Sequence, residues 1–242
     1  MGKYILKRLL IMIPTLLAVI FIVLGILELS PGTPAQAILG FDAKIEAVEA
    51  LNKKLGYDKP FLERYVNYVV KLFQGDMGVS YRTSRPVLDE IMARFPTSLK
   101  LAGIAILIAV LIGVPIGILS AIKQYSIWDL LSTSTAMFFA SMPGFWFGLM
   151  AVIIFSLNLG WLPPNGMDSW KSYVMPCMTL ALPATAALLR LTRTTMLETI
   201  RQDYIRTARA KGQSERKIVF FHALKNALLP VVTYCGVEFG LL

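Results

Sequence analysis

The sequence predicts an all-α membrane protein with about five spans, and three observations carry that prediction. First, 56% of the 242 residues are hydrophobic and only 16% are charged, with a mean hydropathy of +0.62, which sets the chain apart from ordinary soluble domains. Second, the charges leave long apolar gaps between Arg8 and Glu28, Lys100 and Lys123, Asp129 and Asp168, and Lys171 and Arg190. A membrane-crossing helix needs about 20 apolar residues, so each gap holds one span. Third, a polar, basic stretch over residues 193–226 is wedged between apolar segments, a placement with little reason unless something soluble grips it.

The first span is expected over residues 9–29. Lys3, Lys7 and Arg8 ahead of it give the charge order of a signal peptide, but the apolar run exceeds the usual core of about 7 to 15 residues. Glu28-Leu29-Ser30-Pro31 is also no small-residue cleavage site, so the helix stays as a span. Residues 30–97 form an outer stretch with three short amphipathic helices. One carries Ile45, Val48, Leu51 and Leu55 and stops at Gly56; one starts near Pro60, carries Tyr65, Tyr68 and Leu72 and stops at Gly75; one covers residues 86–95 with Val87, Leu88 and Ile91. None is apolar enough to span, and together they suggest a cap on the outer membrane surface or over the mouth of the bundle.

Spans two, three and four are expected over residues 98–122, 130–157 and 173–191, with a fifth beginning near Ala227. Pro143 falls near the centre of span three, and Trp161-Leu162-Pro163-Pro164 ends that span, since paired prolines break a helix and tryptophan favours the interface. The chain divides into residues 1–97, with the first span and the outer helices, and residues 98–242, the remaining bundle with its loop. The sequence stops at Gly240-Leu241-Leu242 inside an apolar run without a polar flank, and is expected to be C-terminally truncated.

Charge sets the orientation. Residues 190–226 carry nine basic and three acidic side chains, against nine and eight over residues 30–97. With four spans between them, the N-terminus and the basic loop share a side, and the positive-inside rule places both in the cytoplasm. The net charge of +9 is concentrated in that loop, so topology explains it and a nucleic-acid partner is not required. Cys177 and Cys235 stand alone in apolar segments, with neither metal-ligand spacing nor a disulfide framework.

Within the loop, Ile200, Tyr204 and Ala208 allow a helix to continue from span four, and Gly212 suits a left-handed stop. Ser214 is placed to cap a second helix with Ile218, Phe221 and Leu224 on one face. A short helix with an aromatic face, held at a fixed angle by Gly212, fits a partner's socket. The same residues also suit a basic amphipathic helix lying on anionic lipid headgroups, and taken alone they leave both readings open.

In the spans, Gly113-x3-Gly117 and Gly144-x3-Gly148 allow close helix approach. Ser141-Met142-Pro143-Gly144-Phe145-Trp146 combines a break with aromatic bulk in mid-span, which makes Pro143 and Trp146 candidate pathway-lining residues. Glu238 is the one ionisable group deep in an apolar segment and a functional candidate on that ground. His222, the single histidine, reads as an interface residue.

From Thr207 to Pro230 the chain resembles the coupling loop of binding-protein-dependent ABC importer permeases, whose pattern is Glu-Ala-Ala, then Gly, then Ile-x-Leu-Pro. Ala208, Gly212, Leu229 and Pro230 match. Arg206 and Thr207 replace the leading Glu-Ala and the Gly212-to-Pro230 spacing is long. Both departures look like the peptide/nickel (dipeptide and oligopeptide) branch, where Tyr-Ile-Arg-Thr-Ala-Arg-Ala-Lys-Gly is usual. Further matches run through Tyr4-Ile5-Leu6-Lys7-Arg8, Leu55-Gly56-Tyr57-Asp58-Lys59-Pro60, Gly75-Asp76-Met77-Gly78 and Gly160-Trp161-Leu162-Pro163.

This resemblance implies the type I ABC importer transmembrane fold in a bacterial inner membrane. It implies a second permease subunit, two cytoplasmic ATPase subunits that use ATP and Mg, and an extracytoplasmic solute-binding protein as partners. Ala208, Gly212, Ser214, Ile218, Phe221, Leu224, Leu229 and Pro230 would form the ATPase-coupling loop. The chain has no Gly-x4-Gly-Lys-Ser/Thr phosphate loop, so hydrolysis would belong to another subunit and no cofactor to this one. An intramembrane protease or hydrolase lacks its motifs here, His-Glu-x-x-His and Gly-x-Ser-x-Gly. An ion-driven secondary transporter would want charged groups at the midplane, which these spans do not supply.

Overall fold

The computed structural model describes residues 2–40 and 42–242. Among them the fold is helical, with a single antiparallel bridge between Val79 and Pro86 as its β-type pairing. The chain forms two compact units, the division falling between Phe95 and Pro96.

In the first unit, α1 (Gly2–Leu29) is a 28-residue apolar helix with no buried residue. The short α2 (Pro34–Leu39) opens on a reciprocal Thr33–Gln36 capping box, and α3 (Ile45–Lys54) and α4 (Phe61–Phe73) follow. Gly56 and Gly75 end these helices at φ +76° and +84°, values glycine adopts without strain. The helix α4 lies along the flank of α1. Phe21 meets the rings of Phe61 and Tyr65 edge-on, the Tyr65 hydroxyl donates to the Leu17 carbonyl at 3.2 Å, and Arg64 pairs with Glu28. These contacts set Phe61, Arg64 and Tyr65 of α4 against the side of α1.

The expected third outer helix is not separate. It fuses with span two into α5 (Val87–Ile122), which carries Pro96 and Pro115 inside it. At 36 residues this helix is about 54 Å long and overshoots the hydrocarbon core.

The second unit is organised around α8 (Trp170–Ile200), which buries eleven residues. A Cβ placed on Gly117 would lie 2.7 Å from the Leu189 carbonyl, and one on Gly113 would lie 2.8 Å from that of Thr185. The small face of α5 is thus what lets two backbones touch. Gly144 has nothing within 4 Å, so the second glycine pair makes no comparable crossing.

Span three is broken at Met142 and Pro143, where the sequence places a break in mid-span. Its halves, α6 (Ile127–Ser141) and α7 (Gly144–Ala151) with the π-helical turn Val152–Asn158, meet at 93°. Pro143 lacks the N–H a continuing helix needs and holds Met142 extended, at ψ 128°. The broken pair still climbs α8: Asp129 meets Arg193, Ala136 packs with Ala186 and Leu189, and Gly148 faces Thr179. Finally α9 (Asp203–Ala210), α10 (Glu215–Lys217), the π-helical turn Ile218–Ala223 and α11 (Leu224–Leu241) complete the chain.

Candidate functional site: the helical elbow after α8

The segment leaving α8 folds as a rigid elbow. At the end of α9 the Gln213 N–H reaches back to the Ala208 carbonyl at 3.2 Å and the Gly212 N–H to that of Arg209 at 2.9 Å. With Gly212 at φ +75°, this is a Schellman stop, which requires the left-handed conformation at that residue. The next helix starts after Ser214, whose side chain makes no capping bond, contrary to the expectation from sequence. The bend is closed instead by Arg209, whose Nε and guanidinium NH2 donate to the two carboxylate oxygens of Glu215 at 2.7 and 3.1 Å. This bidentate contact holds the Glu215 carboxyl, ahead of the apolar part of the helix, below the usual carboxylate range. Both side chains are exposed, so the pair is worth at most about 1 kcal/mol.

Beyond the bend, Glu215 to Leu241 is one continuous helical rod of 27 residues, about 40 Å in length. The expected docking helix and span five are a single element, and Pro230 sits inside it.

The π-helical turn decides which side chains face out. Ile218, Val219 and Ala223 are buried in one cluster with Met196 of α8, Ile205 and Ala208 of α9, Ile118 and Ala121 of α5, and Ala227, with Leu224 packed against it. Phe221 points away and is 72% exposed, with Phe220 beside it at 50%. Ile218, Phe221 and Leu224 therefore do not share one face: the wider i→i+5 turn shifts the register that an α-helical count assumes. The outward surface is an aromatic pair that follows the exposed Arg216 and Lys217 in the chain. Asn226 ties the elbow to the rod by donating to the Tyr204 hydroxyl at 2.8 Å.

Of the other sequence candidates, Leu229 is exposed and Pro230 lies beside it, lining a shallow groove of about 480 Å³ with Leu191, Thr233, Tyr234 and Val237. Pro143 and Trp146 are surface residues of the broken span, remote from the elbow in sequence and outside its core. Glu238 is half-buried on α11, one turn beyond Tyr234. Among the described residues no cluster of His, Cys, Asp or Glu is arranged to hold a metal ion.

Sequence reasoning missed a polar knot at the foot of the bundle. Asp129, 4% exposed, accepts two hydrogen bonds from Arg193, at 2.6 and 2.8 Å. It also accepts from the Ser120 hydroxyl and, at 2.9 Å, from the Tyr125 N–H. The one signal available was that Asp129, in the first turn of α6, and Arg193, in the last turns of α8, each border an apolar run on the same side of the bundle.

The described residues thus form four helices long and apolar enough to cross a membrane, or five if the bent pair is one span, the last of them continuous with the exposed elbow. Residues 113–242 match the family described as Binding-protein-dependent transport system inner membrane component, and residues 1–102 match its N-terminal companion model. The chain belongs to this family of ABC importer permeases, in its peptide/nickel branch. It is similar to the Glutathione transport system permease protein GsiC of Escherichia coli (strain K12), with 40% identity over 242 residues, 100% of this chain and 79% of that protein. The corresponding protein of Salmonella typhimurium is 41% identical over the same shares. It is a non-catalytic, multi-pass inner-membrane subunit that couples solute transport to a separate ATPase.

Proposed function

We propose that this chain forms part of the path by which glutathione or a short peptide enters the cytoplasm, with its N-terminus and elbow on the cytoplasmic side. Its partners are a second permease subunit, two ATPase subunits that bind ATP and Mg, and an extracytoplasmic binding protein that selects the solute. The observation that carries this reading is the continuity of the elbow with the span: a load applied at Phe220 and Phe221 has no loop in which to dissipate before it reaches Leu229, Pro230 and the bundle. Gly212 and the Arg209–Glu215 pair fix the angle, while Ala208, Ile218 and Leu224 weld the elbow to the ends of α5 and α8. ATP binding and release then favour different orientations of the rod, and access to the path alternates. The solute class rests on the likeness to the glutathione permeases of Escherichia coli and Salmonella typhimurium; Pro143 and Trp146 are the candidates for contact with it.

The test is uptake by the full complex reconstituted with its neighbouring subunits in proteoliposomes. ATP-dependent uptake of labelled glutathione, competed by short peptides, is expected, and uptake that follows a proton or sodium gradient without nucleotide would overturn the reading. Single cysteines at Arg209 and Lys217 should react only with a membrane-permeant reagent in intact cells; labelling by an impermeant reagent would reverse the orientation.

A further inference from the structure

The chain turns from α5 into α6 in four residues, Lys123 to Ser126, and the turn is held in an unfavourable conformation. Tyr125 has φ +65°, a left-handed backbone that glycine adopts freely and a bulky side chain does not. The conformation is imposed from behind. The Tyr125 N–H donates to Asp129 Oδ2 at 2.9 Å, Asp129 is locked by Arg193 and Ser120, and Ser126 caps α6 through the Asp129 N–H.

For this strain the tyrosine side chain receives nothing inside the chain. It is 87% exposed, and its hydroxyl takes part in none of the hydrogen bonds found among the described residues. Ile127 and Trp128 next to it are also more than half exposed, with the Lys123 ammonium 5.9 Å from the Trp128 ring. A turn selected for folding alone would carry glycine at this position. The side chain that is there instead is free to meet a partner outside the chain.

Position identifies the partner. Gln124 accepts a hydrogen bond from Arg201 at 3.5 Å, and Arg201 is the residue at which α8 ends and the elbow begins. Together with the Asp129–Arg193 pair, this contact places Tyr125 at the same end of the bundle as Phe220 and Phe221, on a support continuous with the elbow. We propose that Tyr125 is a second contact for the ATPase subunit, an aromatic knob that enters an apolar recess with a hydrogen-bond acceptor at its base; this rests on the elbow being the ATPase-coupling surface. Two contacts, on the α5–α6 turn and on the rod, would let the ATPase turn the rod relative to the bundle instead of pushing the whole permease.

The experiment uses the full complex in nanodiscs. Tyr125→Gly relieves the turn, so the permease should melt no lower than wild type, while its affinity for the ATPase falls about tenfold, the scale of an interfacial tyrosine anchor. Tyr125→Phe should retain most of the affinity. A photo-reactive phenylalanine analogue at position 125 should cross-link to the ATPase; adducts with lipid alone would make Tyr125 a headgroup anchor and overturn the proposal. Phe221→Asp is measured in parallel. Loss of binding with Phe221→Asp but not with Tyr125→Gly overturns the second contact alone, whereas binding retained in both overturns the coupling reading beneath it.

Discussion

Asp129 and Arg193 stand 64 residues apart in sequence and meet in a two-pronged hydrogen-bonded ion pair, at 2.6 and 2.8 Å. The pair joins the foot of α6 to the last turns of α8, just before α8 leaves the bundle as the elbow. A carboxylate this buried is stable only when its lone pairs are filled, and Ser120 and the Tyr125 N–H fill those that Arg193 leaves. Asp129→Ala should lower the stability of the permease by about 3 to 5 kcal/mol, because Arg193 is left charged and unpaired. Arg193→Lys keeps the charge but loses the planar fork, and should fall between wild type and Asp129→Ala. Thermal unfolding in nanodiscs reads both, and equal melting of wild type and Asp129→Ala would show that the pair carries no load.

The crossing of α5 and α8 gives a sharper contrast between two glycine pairs that look alike in sequence. A methyl on Gly117 meets the Leu189 carbonyl at 2.7 Å and Thr192 Cβ at 2.7 Å, and neither is the far end of a flexible side chain. Gly117→Ala should therefore cost about 1 to 3 kcal/mol through forced separation of the helices. Gly144→Ala, with open space around it, should stay within about 0.5 kcal/mol of wild type. Thermal unfolding of the two variants side by side checks the contrast.

The number and order of the spans were legible because they depend on hydropathy and length, which the bilayer constrains directly. The stop at Gly212 was legible for a similar reason: few residues accept a left-handed backbone, so glycine at the end of a helical pattern marks the site. What sequence could not give was the register beyond that stop. Periodicity assumes 3.6 residues per turn, and the π-helical turn over Ile218–Ala223 sends Ile218 and Leu224 inward and Phe221 outward. The continuity of the docking helix with span five was equally invisible: span five was expected to begin near Ala227, and the helix instead runs unbroken from Glu215 to Leu241. The Asp129–Arg193 pair escaped because a contact between distant residues leaves no local pattern.

The Schellman stop makes the elbow angle depend on one residue. At φ +75° a β-branched side chain is strained by about 1 to 3 kcal/mol, and the helix would relieve this by changing its exit direction. Gly212→Val should leave membrane insertion and expression intact while ATP-driven uptake is lost. Gly212→Asn, which tolerates the left-handed region, should keep most of it. Uptake assays on both variants test the hinge, and wild-type transport by Gly212→Val would remove the angle from the mechanism.

Phe221 and Ile218 offer the most direct separation of docking from folding, because they are three residues apart and face opposite ways. Ile218 is fully buried among Met196, Ile205 and Ala223, so Ile218→Asp places a charge in an apolar core and should collapse the elbow, lowering the melting temperature along with ATPase binding. Phe221, exposed and without a packing partner in that cluster, has little to lose when the permease is alone. Phe221→Asp should leave the melting temperature unchanged and still weaken ATPase retention, because a carboxylate replaces the apolar surface that a socket would desolvate. Co-purification with the ATPase, read beside thermal unfolding of the isolated permease, distinguishes the two. Were Phe221→Asp to retain the ATPase fully, the force would have to enter the rod elsewhere, and the exposed aromatic pair would be left without a role in coupling.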